Sequence, residues 1–405
     1  MTAAYRKLYQ DAGASTRHKL AARAFRIPGE GAIETLSKAL KLEAQGHDIV
    51  HLEIGESDFH TPKHIVEAGL RSIRSGRTRY GPAQGIPEIR EGIAQHLHDK
   101  RGISAQPGRV IVTPGAKTVI FLTVLALVES GDEVILPNPG FPAYAGAVQF
   151  VGGVPVALPL NSERDFRLER EKMSELVTER TKLIIINSPA NPTGAVLSRQ
   201  DLEAVASVAI EHDLWVLADE IYSELYYDSA SPMSIAALPG MLDRTILLNG
   251  FSKTYAMTGW RLGYGHFPEP MMQTITNMVI NGHTCVPMFV QDAGVAALMG
   301  PQDCVTDMRE KYRARKDLAL SLLRSITALQ CNEPAGAFYM LPKIKVLKDL
   351  NIRAFTDRLL EFGVAVLPGT DFGTLGVGSF RMSFAGSRAQ LREGIRRIST
   401  AMESM

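Results

Sequence analysis

The sequence predicts an α/β fold, with a large domain on a mainly parallel sheet and a smaller α+β domain after it. Three observations carry this. The runs VIVT at 110–113, KLIII at 182–186, LWVL at 214–217 and RTILL at 244–248 are continuously apolar, as strands buried on both faces are. Helix-length segments separate such runs, the pattern of parallel strands joined by crossovers. A chain of 405 residues with 45% hydrophobic content exceeds one core and can furnish two. The expected division is 1–57 as an N-terminal arm and part of the small domain, 58–299 as the large domain and 300–405 as the small C-terminal domain.

Taken in order, residues 1–20 are a polar arm without an apolar signal core. Residues 32–46 (AIETLSKALKLEAQG) repeat apolar positions at helical spacing. The strand at 110–113 runs into PGAKT, a small-residue turn opening the apolar helix 119–128, whose first N–H groups are free to bind a phosphate. KLIII leads into NSPANPTG at 187–194, where prolines and a glycine fix a turn that offers Asn191. LWVL ends at Asp219, with Tyr222 three residues later. RTILL leads into LNGFSKTYAMTGWRLGYG at 248–265, which sets Lys253 between a strand and a loop ending in Arg261; a short strand begins at 262–267. Beyond 300 come a charged helix at 307–323, short strands near 337–340, 364–367 and 380–383, and a helix at 389–402.

The polar groups at these strand ends define a chemistry. A lysine held at a strand end is partly desolvated, which lowers its pKa toward the neutral amine that Schiff-base formation requires. In an open α/β sheet the carboxyl ends of the strands converge on one crevice. Four of them here supply a phosphate-binding helix terminus, a carboxylate, a phenol with an amide, and a lysine. Pyridoxal phosphate needs all four: it has a phosphate, a ring nitrogen, a phenolic oxygen and an aldehyde.

Composition narrows the partners. Lys+Arg 44 against Asp+Glu 43 gives no long-range attraction to nucleic acid or acidic membranes. Cys285, Cys304 and Cys331 are widely spaced and odd in number, as reduced thiols of a cytosolic enzyme are. His96 and His98 stand two apart on an expected helix and do not face one metal, and His60 and His64 flank Pro62 in an expected loop. No uncharged segment is long enough to span a membrane, so the cytoplasm is the expected location.

The chain resembles the class I/II pyridoxal-phosphate aminotransferases of the fold-type I superfamily, which includes the aspartate, alanine and aromatic aminotransferases. LEIGESDFHTP at 52–62, YGPAQGIPEIREGIA at 80–94, NPGFPAY at 138–144, NSPANPTG, ADEIY at 218–222, FSKTYAMTGWRLGY at 251–264, PAGAFYMLP at 334–342 and FRMSFA at 380–385 carry the resemblance in order. It implies that Lys253 carries the cofactor as a Schiff base and serves as the catalytic base, and that Asp219 keeps the pyridine nitrogen protonated. Asn191 and Tyr222 would bond the phenolic oxygen, and Phe141 would stack on the ring. The Ala116 and Lys117 amides, Ser252, Arg261 and a Tyr80 supplied by the second subunit would hold the phosphate. Arg381, aided by the Gly55 backbone, would clamp the substrate α-carboxylate. The chain departs from the family at Ser57, often proline, and at Gly250, often a phosphate-binding serine.

The implied activity is exchange of an amino group between an L-amino acid and a 2-oxo acid such as 2-oxoglutarate, pyruvate or oxaloacetate, in a homodimer with shared active sites. Two alternatives stand beside it. A C–S lyase or other eliminating enzyme of the same fold would use the same carbanion to break another bond. A non-catalytic pyridoxal-phosphate regulator would have lost Lys253 or Arg381, or gained a DNA-binding segment, and neither is seen. Taken singly, Asp219 and Tyr222 could also cap the next helix, Phe141 could belong to the core and Arg381 to a surface ion pair.

Overall fold

The computed structural model describes residues 21–27, 29, 31–228, 231–345 and 351–404; the arm expected at 1–20 lies outside them. Its centre is a seven-stranded sheet of β1 (Val110–Thr113), β2 (Glu133–Asn138), β3 (Val154–Pro159), β4 (Thr181–Asn187), β5 (Trp215–Asp219), β6 (Thr245–Gly250) and β7 (Gly263–His266). The spatial order is β1-β7-β6-β5-β4-β2-β3. Five of the strands, β2 to β6, pair in parallel, whereas β7 runs antiparallel to β1 and β6 on either side.

The continuous apolar runs are explained by helices on both faces. Ile184 and Ile186 of β4 join Val216 and Ala218 of β5 against Leu202 and Val205 of the helix Arg199–Glu211. Their neighbours Leu183, Ile185 and Leu217 turn to the opposite core, because successive strand residues alternate faces. Each such aliphatic side chain contributes about 1.5–3 kcal/mol by leaving water. A third cluster joins Ile65, Ile89, Ile93 and Ala293 of the helices Lys63–Arg74, Pro87–Arg101 and Met288–Met299 to Phe251 and Tyr264.

The reversed strand organises the functional edge. Because β7 is antiparallel, its first residue lies beside the last residues of its neighbours, and Gly263 pairs with both Thr113 and Gly250. Only glycine fits there, since a Cβ would collide with the Ala116 amide and Gly115.

Most predicted elements are found, with shifted ends. The strand at 110–113 is as expected, β4 gains a residue at each end, and β6 continues through Gly250. The helix Lys117–Leu127 begins two residues before the expected 119, and Asp303–Ser325 begins four before 307. Past Met299, Phe380–Ser383 lies between Tyr339–Met340 and Leu367–Pro368 in a small antiparallel sheet, which the helices Asp303–Ser325 and Arg388–Glu403 accompany. Val50–His51 pairs in parallel with Val364–Ala365, tying the early chain to this late one. Among the described residues no helix is long and apolar enough to cross a membrane.

Candidate active site

A cavity of about 350 Å³ opens at the carboxyl ends of the sheet. Of the residues singled out in the sequence, Gly55, Ala116, Lys117, Phe141, Asn191, Asp219, Tyr222, Ser252, Lys253, Arg261 and Arg381 line it. Tyr80 does not: it is 87% exposed on the surface of its own chain.

Lys253 is delivered by the one-turn helix Phe251–Thr254, which follows β6 directly. Its Nζ donates to the Gly55 carbonyl at 2.6 Å and lies 5.5 Å from the Phe338 ring centroid. Burial draws the ammonium down to about 8, with the Arg381, Arg261 and Lys117 charges acting in the same direction and Glu56 against it. An amine so placed is neutral in about one molecule in ten at pH 7, far more often than an ordinary lysine, and the neutral form is the one that imine formation requires. The Gly55 backbone is thus engaged with the lysine.

Asp219 closes β5. Its Oδ2 accepts from the Tyr144 hydroxyl at 2.7 Å and its Oδ1 from the Ile221 amide at 3.1 Å. Burial lifts its carboxyl to about 6, and the Tyr144 bond opposes the rise. The turn after β4 is built on Asn187, whose Nδ2 donates to the Asp219 carbonyl at 2.9 Å and whose Oδ1 accepts from the Asn191 amide at 2.8 Å. That bond aims Asn191, and its Oδ1 accepts from Arg381 Nη1 at 3.1 Å. Tyr222 and Tyr339 share a hydroxyl hydrogen bond of 2.8 Å, and burial raises both phenols.

Two arginines flank the lysine. Arg381 is buried, with Nη2 on the Glu53 carbonyl and the guanidinium carbon 4.4 Å from the Tyr339 centroid and 4.9 Å from that of Phe372. Its Nε is buried without a partner among the described residues. Arg261 adopts φ 54° and donates to the Thr258 carbonyl at 2.8 Å. Opposite it Gly115 has φ 83°, and a Cβ there would strike the Arg261 guanidinium. Lys117 Nζ lies 5.2 Å from the Phe141 centroid, and Phe141 meets Tyr144 edge-on at 5.5 Å.

Tyr144, Tyr339 and Asn187 carry much of this geometry, yet the sequence assigned them no role. Each sits in a quoted motif, and only the partner across the fold reveals its use. Ala32 and Ile33, on the helix Gly31–Glu43, also line the cavity from far away in sequence.

The donor set fits pyridoxal phosphate: a half-buried amine for the aldehyde, a buried carboxylate for the ring nitrogen, and a glycine-backed guanidinium for the phosphate. Residues 47–398 match the family model described as aminotransferase class I and II. The chain belongs to this family. It is 41% identical over 367 residues to an aspartate aminotransferase of Pyrococcus abyssi, covering 90% of this chain and 94% of that one. It is 39% identical over 398 residues to a probable aspartate/prephenate aminotransferase of Aquifex aeolicus, covering 96% and 100%. The solved structure of Thermus thermophilus aspartate aminotransferase with maleate superposes with a TM-score of 0.91 at 37% identity, covering 95% of this chain and 100% of that one. The fold is therefore fold type I and the protein is a pyridoxal-phosphate-dependent aminotransferase.

Proposed function

We propose that this aminotransferase takes its amino group from an acidic L-amino acid such as aspartate and passes it to a 2-oxo acid, working as a cytoplasmic homodimer. The observation that carries the reading is the placing of Lys253 between two arginines in one cavity. A substrate amino acid has one carboxylate for Arg381, and the cofactor has one phosphate for Arg261, so the amine between them meets both reacting carbons.

Each residue then has a task. Bound pyridoxal phosphate supplies an aldehyde that condenses with amines and a ring that accepts electrons from the substrate Cα. Lys253 would hold it and, when its amine is free, would serve as the base that moves the proton at the substrate Cα. Asp219, kept anionic at neutral pH by Tyr144 and the Ile221 amide, holds the ring nitrogen's proton. Tyr222 and Asn191 donate to the phenolic oxygen, and Phe141 covers one ring face. The amides of Ala116 and Lys117, with Ser252 and Arg261, grip the phosphate, and Tyr80 reaches it from the partner subunit. Its 87% exposure supports a use outside its own chain.

Lys117 selects the donor. Its Nζ reaches over Phe141 into the cavity, where a distal carboxylate would lie. A second reading, an aromatic donor, draws support from Ile33, Ile54 and Ile120 on the cavity wall and from the name of a 40% identical relative, aromatic-amino-acid aminotransferase 2 of Thermococcus litoralis. Steady-state kinetics separate the two. With Lys117→Ala the KM for aspartate and glutamate should rise about tenfold while that for alanine or phenylalanine stays level; equal effects on both classes would remove Lys117 from this role. A panel of donors against 2-oxoglutarate, pyruvate and oxaloacetate tests the activity itself. Release of ammonia in place of a new amino acid would favour the eliminating alternative.

The division at 57/58 and 299/300 is kept in this reading. The pairing of Val50–His51 with Val364–Ala365 supports joining the N-terminal segment to the small domain.

A further inference from the structure

Behind the strand end that carries Asp219 lies a buried ionic cluster with no task in the chemistry above. Glu220 follows Asp219 but does not line the cavity. Its Oε2 accepts from Arg101 Nη2 at 3.0 Å, and the two side chains are 5% and 1% exposed. Arg101 ends the helix Pro87–Arg101; its Nη1 donates to Ser231 at 3.2 Å, and its Nε is buried without a partner among the described residues. Earlier on the same helix His96 Nε2 lies 3.7 Å from Glu224.

The main chain of Glu220 is equally committed. Its amide donates to the Leu248 carbonyl of β6 at 2.9 Å and its carbonyl accepts from the Ser223 amide at 2.9 Å. The next amide, of Ile221, donates to Asp219 itself. Movement of Glu220 therefore moves a hydrogen bond on the Asp219 carboxylate. Charge acts in parallel, because the Glu220 carboxylate favours protonation of its neighbour Asp219 and a cation paired with Glu220 opposes that push.

We propose that Arg101 is a positioning residue for the cofactor ring: paired with Glu220, it pins the turn after β5 and neutralises the negative charge beside Asp219. The proposal rests on the reading of Asp219 as the partner of the ring nitrogen, which Asp219→Ala tests separately.

The experiment measures binding of pyridoxal phosphate to the apo forms of Arg101→Met, Glu220→Gln and the double variant by fluorescence titration, beside kcat and KM of the reloaded enzymes. Arg101→Met strands a carboxylate next to Asp219, so cofactor affinity and kcat should each fall about tenfold, with KM changed by less than about twofold. The double variant should recover the part of the loss that comes from the stranded charge. Parental affinity in Arg101→Met, or a double variant no better than the single, overturns the proposal. If Arg101→Met does not fold, Glu220→Gln decides. It keeps an acceptor for Arg101 and removes the charge, so cofactor binding should persist to lower pH than in the parent; an unmoved acid limb overturns the proposal. Should Asp219→Ala bind and turn over like the parent, the reading beneath is wrong; an impaired Asp219→Ala with a normal Arg101→Met sinks the Arg101 proposal alone.

Discussion

At the scale of single residues, the cavity sets two titrating groups to opposite tasks with the same lever, desolvation. It disfavours whichever form is charged, drawing Lys253 down to about 8 and lifting Asp219 to about 6. The rate at which the apoenzyme captures pyridoxal phosphate should therefore climb as pH rises through about 8. Stopped-flow absorbance would show it, and a rate flat to pH 10 would contradict the depressed amine. For Asp219 the sign runs the other way. Tyr144 donates to the charged form, so Tyr144→Phe should raise the Asp219 pKa and move the acid limb of cofactor affinity to higher pH. Asp219→Ala should still hold its cofactor through Lys253, though less tightly than the parent, and lose turnover by about 100-fold or more. Near-normal catalysis in that variant would refute the role given to Asp219. That Lys253 and Asp219 would face one cavity was legible from their places at strand ends, whereas Arg381, inside the strand Phe380–Ser383, was reached only through the family resemblance. Tyr144 and Tyr339 were not legible, since an aromatic in an apolar run reads as core until its hydroxyl's partner is known.

At the scale of elements, legibility followed burial only where the run was also unbroken: β2, EVILPN, is buried throughout but was not read, its apolar run being short and flanked by a glutamate, a proline and an asparagine. Strands buried on both faces, β1, β4, β5 and β6, announce themselves as apolar runs. The edge strand β3, VPVALP, is only partly buried and carries two prolines, so it has neither a continuous nor an alternating signature. Two-residue strands such as Val50–His51 have no period to read. The turn after β1 makes the sharpest demand. Gly115→Ala would place a side chain at φ 83° and press it against Arg261. We expect about 1–2 kcal/mol lower stability from the backbone strain alone, and a clear weakening of pyridoxal phosphate binding. Urea denaturation and a cofactor titration measure the two, and unaltered binding would show that Gly115 leaves Arg261 free to move.

At the scale of the whole molecule, pH acts through a histidine far from the chemistry. His266, on β7, is buried, and neither ring nitrogen has a partner among the described residues. Burial, helped by the Arg109 charge, lowers it from 6.5 to about 4. As pH falls below 6.5 the unfolded chain takes up this proton first, so stability drops through the window between 6.5 and about 4. The loss approaches about 3 kcal/mol. His266→Leu should flatten that part of the stability profile in chemical denaturation; an unchanged slope would assign acid sensitivity elsewhere. Assembly belongs to this scale too. If Tyr80 serves the partner's phosphate, mixing Tyr80→Ala with Lys253→Ala should restore activity that neither has alone, and a fully active monomer in sedimentation would contradict the shared site.

The single reversed strand also acts as a gauge of length. Gly263 is hydrogen-bonded into both neighbours, so the phosphate turn and the lysine helix stand two strand spacings apart, about 9.6 Å. Neither end can drift without breaking a ladder that is buried on both sides. A ligand must therefore span a set interval between its anionic tail and its carbonyl carbon, whatever else it carries. Phosphorylated aldehydes with a longer or shorter tether would satisfy one end of the gauge and miss the other, so the sheet screens cofactors by reach before any side chain inspects the ring.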